Sequence, residues 1–125
     1  MDKPKILIVD DDPVLRRGLN LRLRANDYDT SYATDGVSAI AVAHKERPNL
    51  ILLDLGLPAG DGFAVLSRLQ QSADLSNIPV IVLTARDPVP NRTLAINAGA
   101  AAFFQKPVDN GKLLSTIRTT LLYSN

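Results

Sequence analysis

Four apolar runs in this chain each end on a side chain that can handle charge. Ile6 to Val9 leads into Asp10-Asp11-Asp12, Leu50 to Leu53 into Asp54, Val80 to Leu83 into Thr84, and Ala102 to Gln105 into Lys106. Brought to one place, these ends would supply the carboxylates of Asp10, Asp11 and Asp54, a hydroxyl and an ammonium. Carboxylates about 5 Å apart repel by roughly 3 kcal/mol per pair at an effective dielectric near 20. Some must then protonate, or a cation must join them. Hard oxygens with few protein ligands suit Mg²⁺, which keeps several waters and usually accompanies phosphate. Neither imidazole nor thiolate is at hand for zinc. A cation, a lysine and a hydroxyl together can neutralise the equatorial oxygens of a phosphoryl group, and a carboxylate can be the nucleophile that receives it. Asp54 is the candidate nucleophile, because it ends the middle run. Taken singly, each residue has a plainer reading: an aspartate after a buried strand caps a turn, and a lone Thr84 is more often structural.

The elements that must position these ends follow from periodicity. Continuous aliphatic runs read as parallel strands covered on both faces. Between them lie helical patterns. Pro13 opens the first, with Asp12 as N-cap; it runs to about Ala25 with Leu15, Leu19 and Leu23 inward and Arg16, Arg17, Arg22 and Arg24 outward, and Asn26-Asp27 ends it. Thr30 to Ala33 is a short strand. Asp35-Gly36 turns into a helix from Val37 to about Lys45, with Val37, Ile40 and Ala41 inward, stopped by Pro48. After Pro58, Gly60 and Gly62 comes a helix from Phe63 to about Gln71, with Phe63, Leu66 and Leu69 in register. Pro88 and Pro90 delay the next helix to about Asn91, and Gly99 ends it. The last helix spans Asn110 to Tyr123, with Leu113, Leu114, Ile117 and Leu121 inward. Five βα units in alternation require parallel strands and right-handed crossovers. All strand C-termini then share one rim, where ligands of such sheets bind.

Composition narrows the class. The chain's 125 residues can bury a core without disulfides or structural metal, and it has no cysteine. A net charge of +1 provides no global field for nucleic acid or anionic membrane. Lys3-Pro4-Lys5 leads into a run that soon meets three aspartates, so no signal peptide or membrane span is expected, and the cytoplasm is the expected location. Aspartate favours turns and caps over helix interiors, and Glu46 is the single glutamate among 13 acidic residues. Most of the acids should therefore lie at the ends of elements.

In combination, Ile8-Val9-Asp10-Asp11-Asp12-Pro13, Leu53-Asp54-Leu55-Gly56-Leu57-Pro58, Asp61-Gly62, Leu83-Thr84-Ala85, Gly99-Ala100 and Lys106-Pro107 closely resemble the receiver domain of two-component response regulators, the CheY-like superfamily. The resemblance covers essentially residues 1–125 as a single receiver domain. It implies an α/β (βα)5 flavodoxin-like, three-layer fold with a parallel five-stranded sheet in the order 2-1-3-4-5. It implies that Asp54 accepts phosphate from a sensor histidine kinase, with Mg²⁺ held by Asp11, Asp54 and the Gly56 carbonyl, and by Asp10 mainly through a water. It further implies that Thr84 and Lys106 contact the phosphoryl oxygens, that Phe103 changes rotamer with Thr84 as the switch, and that Lys106-Pro107 is cis. Strand alternation favours Phe103 over Phe104 for the switch. The output would be the face of helix four, strand five and helix five, offered to a downstream protein, a missing output domain or a second copy in a homodimer. Such a protein is a switch that assists its own phosphorylation and dephosphorylation rather than an enzyme, with no direct contact to nucleic acid or membrane. The chain departs from the common pattern at Phe103 where many receivers have Tyr, at Leu57 where Met is common, at Gly56, which leaves a phosphoaspartate unshielded, and at Pro88 and Pro90, which remove two backbone donors and stiffen the loop that the switch moves.

Two competing readings come from the same residues. A Mg²⁺-dependent phosphohydrolase with an aspartyl nucleophile needs an acid two residues beyond it to protonate the leaving group, and that position is Gly56. A flavin or nucleotide module would need a glycine-rich loop after the first strand, where acids stand instead. His44, on a helix far from the rim, reads as an exposed spacer; the helix-one arginines, without aromatic interleaving, read as a solvated face. Tyr28, Tyr32 and Tyr123 carry no signal. The chain ends just after the fifth helix, so a stand-alone docking protein and a receiver from a longer regulator or hybrid kinase are both expected readings.

Overall fold

A strand that is apolar on both faces can be stable only when helices cover each of them. The computed structural model, which describes residues 2–58 and 61–123, meets that demand with five parallel strands and five helices. In chain order these are β1 (Lys5–Val9), α1 (Pro13–Ala25), β2 (Asp29–Ala33), α2 (Gly36–Glu46), β3 (Leu50–Leu53), α3 (Gly62–Gln71), β4 (Val80–Thr84), α4 (Pro88–Asn97), β5 (Ala102–Gln105) and α5 (Asn110–Tyr123). The sheet order is β2-β1-β3-β4-β5, the flavodoxin-like order expected. Gly60, read as a turn residue, lies outside the described residues.

Alternation along the strands divides the core in two. Leu7, Val9, Ile51, Leu53, Val80 and Val82 face α2, α3 and α4, where Ala39, Ala43, Val65, Leu66, Leu69 and Ala95 meet them. Ile6, Ile8, Leu50, Leu52, Ile81 and Leu83 face the other way, onto Leu19 and Leu23 of α1 and Leu113 and Ile117 of α5. The central strands β3 and β4 are buried throughout. Each fully buried aliphatic side chain contributes about 1.5–3 kcal/mol relative to exposure, so slipping either strand by one residue would be strongly opposed. The register Leu53↔Val9 brings the tips of β1 and β3 level, and Leu53↔Val82 lets β4 run two residues further, to Thr84.

The aspartates serve as element ends. Asp12 caps α1 by accepting from the Val14 and Leu15 amides, Asp35 caps α2 through Ser38, Asp61 caps α3 through Phe63, and Asp87 caps α4 through Val89. These five hydrogen bonds satisfy N–H groups that a helix start leaves without partners.

Two details differ from the sequence reading, on α2 and at Arg16. On α2 the inward residues are Ala39 and Ala43 with Ile40 half-buried, whereas Val37 is 68% exposed and Ala41 is exposed. A helix that packs close to a neighbour and a sheet selects small side chains, and these give little hydropathy signal. The helical segment after β4 is bounded by Pro88 and Asn97, but Val89 lies outside helical geometry (φ −106°, ψ 115°), so the regular helix follows this kink, close to the expected start at Asn91. Arg16 is half-buried rather than fully outward. Its guanidinium lies 4.9 Å over the Tyr32 ring and donates to the Asp10 carbonyl at 3.2 Å. Both Lys106-Pro107 and Val89-Pro90 are cis.

Candidate functional site

The level strand tips bring the acids together. One carboxylate oxygen from each of Asp10, Asp11 and Asp54 lies within 4.8 Å of the others. Asp10 and Asp54 are buried, at 2% and 8% exposure, and Asp11 is exposed. Lys106, delivered by the end of β5, donates its Nζ to Asp10 Oδ2 at 2.8 Å and to Asp54 Oδ2 at 3.3 Å. Lys106 also fastens its own backbone, donating its amide to the Thr84 carbonyl at 2.8 Å. One ammonium thus bridges two carboxylates. Asp11 has no salt bridge among the described residues.

The remaining oxygens are held by backbone. The Asp12 amide donates to Asp10 Oδ1 at 2.9 Å, and the Gly56 amide donates to Asp54 Oδ1 at 3.0 Å. Asp10 and Asp54 are therefore each fixed by one backbone donor and one shared cation, which orients their oxygens before any ligand arrives. Burial raises the Asp10 carboxyl above its ordinary range, and the Lys106 ammonium and the Asp12 amide offset only part of that rise. Burial alone would lower the Lys106 ammonium. The hydrogen bond to Asp10 and the charges of Asp10 and Asp54 outweigh it, so the ammonium is held above its ordinary value.

The sequence-derived candidates fall out as follows. Asp10, Asp11, Asp54 and Lys106 are brought together. Gly56 adjoins them through its amide. A side chain begun at Gly56 would sit 3.7 Å from Asp54 Oδ1, so the position looks onto the carboxylate and carries no acid for a hydrolase. Thr84 is 1% exposed at the tip of β4, and its Oγ1 accepts from the Arg86 amide at 3.3 Å. Phe103 is buried beside Val82 and packs with Ala95 and Ala100, while Phe104 faces the opposite layer. His44 is exposed on α2.

Sequence reasoning missed two supports. Gly62 opens α3 pressed against the site loop: a Cβ there would lie 2.4 Å from Leu55 Cα and 2.6 Å from the Asp54 carbonyl oxygen. Only a residue without a side chain allows that approach, and the Gly62 amide uses it to donate to the Leu55 carbonyl at 3.0 Å. Glycine directly after the Asp61 cap was the available signal. Arg86, two residues past Thr84, pairs with Asp61 at 3.6 Å and lies 5.9 Å from the Phe63 ring centre. Nothing in its local sequence marks that contact.

The donor set of three carboxylates, with no imidazole or thiolate, fits a hard divalent cation such as Mg²⁺. A carboxylate held by a backbone amide, with an ammonium beside it, can act as nucleophile toward a phosphoryl group.

Comparison with known proteins agrees with that chemistry. Residues 6–118 match the family model described as the response regulator receiver domain. The chain is 37% identical over 118 residues to the "DNA-binding dual master transcriptional regulator RpaA" of Synechocystis, covering 94% of this chain and 49% of that protein. It thus spans about half the length of the curated relatives it matches first. Among solved structures, a CheY-like receiver domain protein from Methanospirillum hungatei superposes with a TM-score of 0.89 at 29% identity, covering 96% of this chain and 94% of that one. The receiver domain of the sensor histidine kinase PA1611 from Pseudomonas aeruginosa superposes with a TM-score of 0.87 at 26% identity, covering 97% and 98%. That structure has a magnesium ion coordinated in its active site cleft.

Proposed function

The chain belongs to the response regulator receiver domain family of two-component signalling, and from that premise we propose that Asp54 is its phosphoacceptor. The reading is carried by one observation: the Lys106 ammonium bridges Asp10 Oδ2 and Asp54 Oδ2 beside a third carboxylate, Asp11. Two of the three acids share one protein cation and the third has none, and the deficit of positive charge invites a divalent ion.

In this reading Asp54 attacks phosphorus through Oδ2 while the phosphorus–nitrogen bond of a sensor kinase's phosphohistidine breaks. The imidazole leaves with the bonding pair, and the carboxylate becomes an acyl phosphate. The Gly56 amide keeps Oδ1 occupied, so Oδ2 is the oxygen presented. Lys106 already touches that oxygen and would follow the charge onto the phosphoryl group. Asp10, Asp11, Asp54 and the Gly56 carbonyl would hold Mg²⁺, Asp10 mainly through a water, and the ion supplies neutralisation of the phosphoryl oxygens. Thr84, whose Oγ1 accepts from the Arg86 amide, would donate its hydroxyl proton to a phosphoryl oxygen. That bond draws the segment after β4 inward and frees space for Phe103 to change rotamer, biasing the α4–β5–α5 face between two states. Water attack at the same phosphorus, which Gly56 leaves unshielded, returns the carboxylate and inorganic phosphate.

Residues 1–125 would act together as one receiver, in the cytoplasm with its kinase. The α4–β5–α5 face would address a downstream protein, an output domain or a second copy. No helix among the described residues is long and apolar enough to cross a membrane. Incubation with acetyl phosphate and Mg²⁺ should add one phosphoryl group that disappears in Asp54→Asn. Label retained by Asp54→Asn would reject the assignment.

A further inference from the structure

β2 lies at the edge of the sheet, and among the described residues no strand pairs with its free side, which carries neither proline nor bulge. The Asp29 amide donates inward to the Pro4 carbonyl, and the Ala33 carbonyl accepts from the Asp10 amide. Residues of a parallel strand point their backbone groups to alternate sides, so Asp29, Ser31 and Ala33 serve β1. The N–H and C=O of Thr30 and Tyr32 therefore point outward. They open onto a cleft of about 610 Å³ between α1 and α2, a size within the usual range for binding sites.

The two walls differ. From α1 come Arg17, Asn20 and Arg24, and from α2 come Val42 and Lys45. Glu46 is the only acid lining the cleft, and its charge is met by Lys5 at 3.2 Å. Arg16 is engaged by Tyr32 and the Asp10 carbonyl, and Arg24 donates its Nε to Asn20 Oδ1 at 3.0 Å; among the described residues Arg17, Arg24 and Lys45 have no acidic partner. On a chain of net charge +1 this is a local concentration of positive potential. A phosphate ion would satisfy the outward amides and the cations, but would meet the outward carbonyls with like charge. An extended peptide satisfies donors and acceptors alike, and acidic side chains on it would answer the arginines.

We propose that the cleft along the free edge of β2 is a docking site for an acidic partner segment that adds as a strand beside Thr30 and Tyr32. Its side chains would alternate, acidic toward Arg17 and Arg24 of α1 and apolar toward Val42 of α2. The site is separate from the carboxylate cluster at the strand tips.

The test is an NMR titration of the ¹⁵N-labelled chain with a capped six-residue peptide of alternating glutamate and valine. The Thr30 and Tyr32 amides should shift in a saturable way, with smaller changes at Asp54 and Lys106. Backbone N-methylation of the peptide at alternate residues should weaken binding at least tenfold, and so should Arg17→Glu with Arg24→Glu, whose sites are exposed on α1. An absent shift at Thr30 and Tyr32 would overturn the proposal. Equal binding of the N-methylated peptide, or equal shifts with inorganic pyrophosphate, would overturn it too, by showing charge attraction without strand pairing.

Discussion

Removing Asp11 should make the domain more stable without Mg²⁺ and less stable with it. Asp10, Asp54 and Lys106 form a group of net charge −1, and Asp11 stands against it with no cation of its own. At the 4.8 Å bound on the oxygen separations, one unit repulsion is about 0.9 kcal/mol in bulk water and about 3.5 kcal/mol at an effective dielectric of 20. Asp11 is exposed, so the lower figure governs, and Asp11→Asn should stabilise by about 1 kcal/mol. For a domain of this size that raises Tm by about 4 °C. Mg²⁺ reverses the order. At a concentration about 100 times its Kd, the ion stabilises the wild type by about 2.7 kcal/mol, while the variant has lost a ligand and gains little. Thermal melts followed by circular dichroism across a Mg²⁺ series, starting in chelator, should therefore give two Tm curves that cross. Should Asp11→Asn melt lower than the wild type in chelator, the crowding argument fails. Parallel curves would show that the ion does not sit among these carboxylates.

Gly62→Ala drives a methyl into the Leu55 backbone at 2.4 Å; since backbone yields less than a side chain tip, the loss should be about 3 kcal/mol, the upper part of the overpacking range, with weakened Mg²⁺ binding in urea-unfolding and titration assays. Lys106→Met should cost about 3 kcal/mol at neutral pH, because two buried carboxylates lose their partner. The ammonium is held above 10.5 in the folded chain, so its stabilisation is complete below that pH and fades as pH rises through the folded value. The gap between wild type and Lys106→Met should accordingly narrow above pH 10.5, and a constant gap would contradict the pairing. Because Gly56 offers no side chain over Asp54, phosphoryl decay followed by phosphate release should be complete well within hours.

The sheet and the position of the carboxylate cluster were legible because burial on both faces writes itself as unbroken aliphatic runs. Leu50 to Leu53 and Val80 to Leu83 admit no other placement than the middle of the sheet, and each run's next residue must then emerge at the rim. Aspartate usage was equally readable, since Asp12, Asp35, Asp61 and Asp87 all stand where a helix start lacks acceptors. The inward face of α2 was not legible. Ala39 and Ala43 pack against the sheet and α3 because they are small, and hydropathy ranks Val37 above them although it faces solvent. The Arg16–Tyr32 and Arg86–Phe63 contacts were hidden for a different reason: each joins residues from two elements whose mutual orientation no local pattern records.

Lys106 connects those two kinds of information. Its sequence position promised only a cation at the end of β5, whereas its two hydrogen bonds reveal what that cation does before a metal or phosphoryl group is present. By resting on Asp10 and Asp54 together, the ammonium lets two buried acids coexist 44 residues apart in sequence, and keeps Asp54 Oδ2 in a fixed direction. The same contact makes the resting site self-limiting: a divalent ion must share those oxygens with the ammonium rather than find them free. On the proposed reading, a phosphoryl group on Oδ2 would give the ammonium a new negative partner and would relocate Lys106's attachment instead of destroying it. That is why the acids at the strand tips and the lysine at the end of the edge strand must be read as one electrostatic unit.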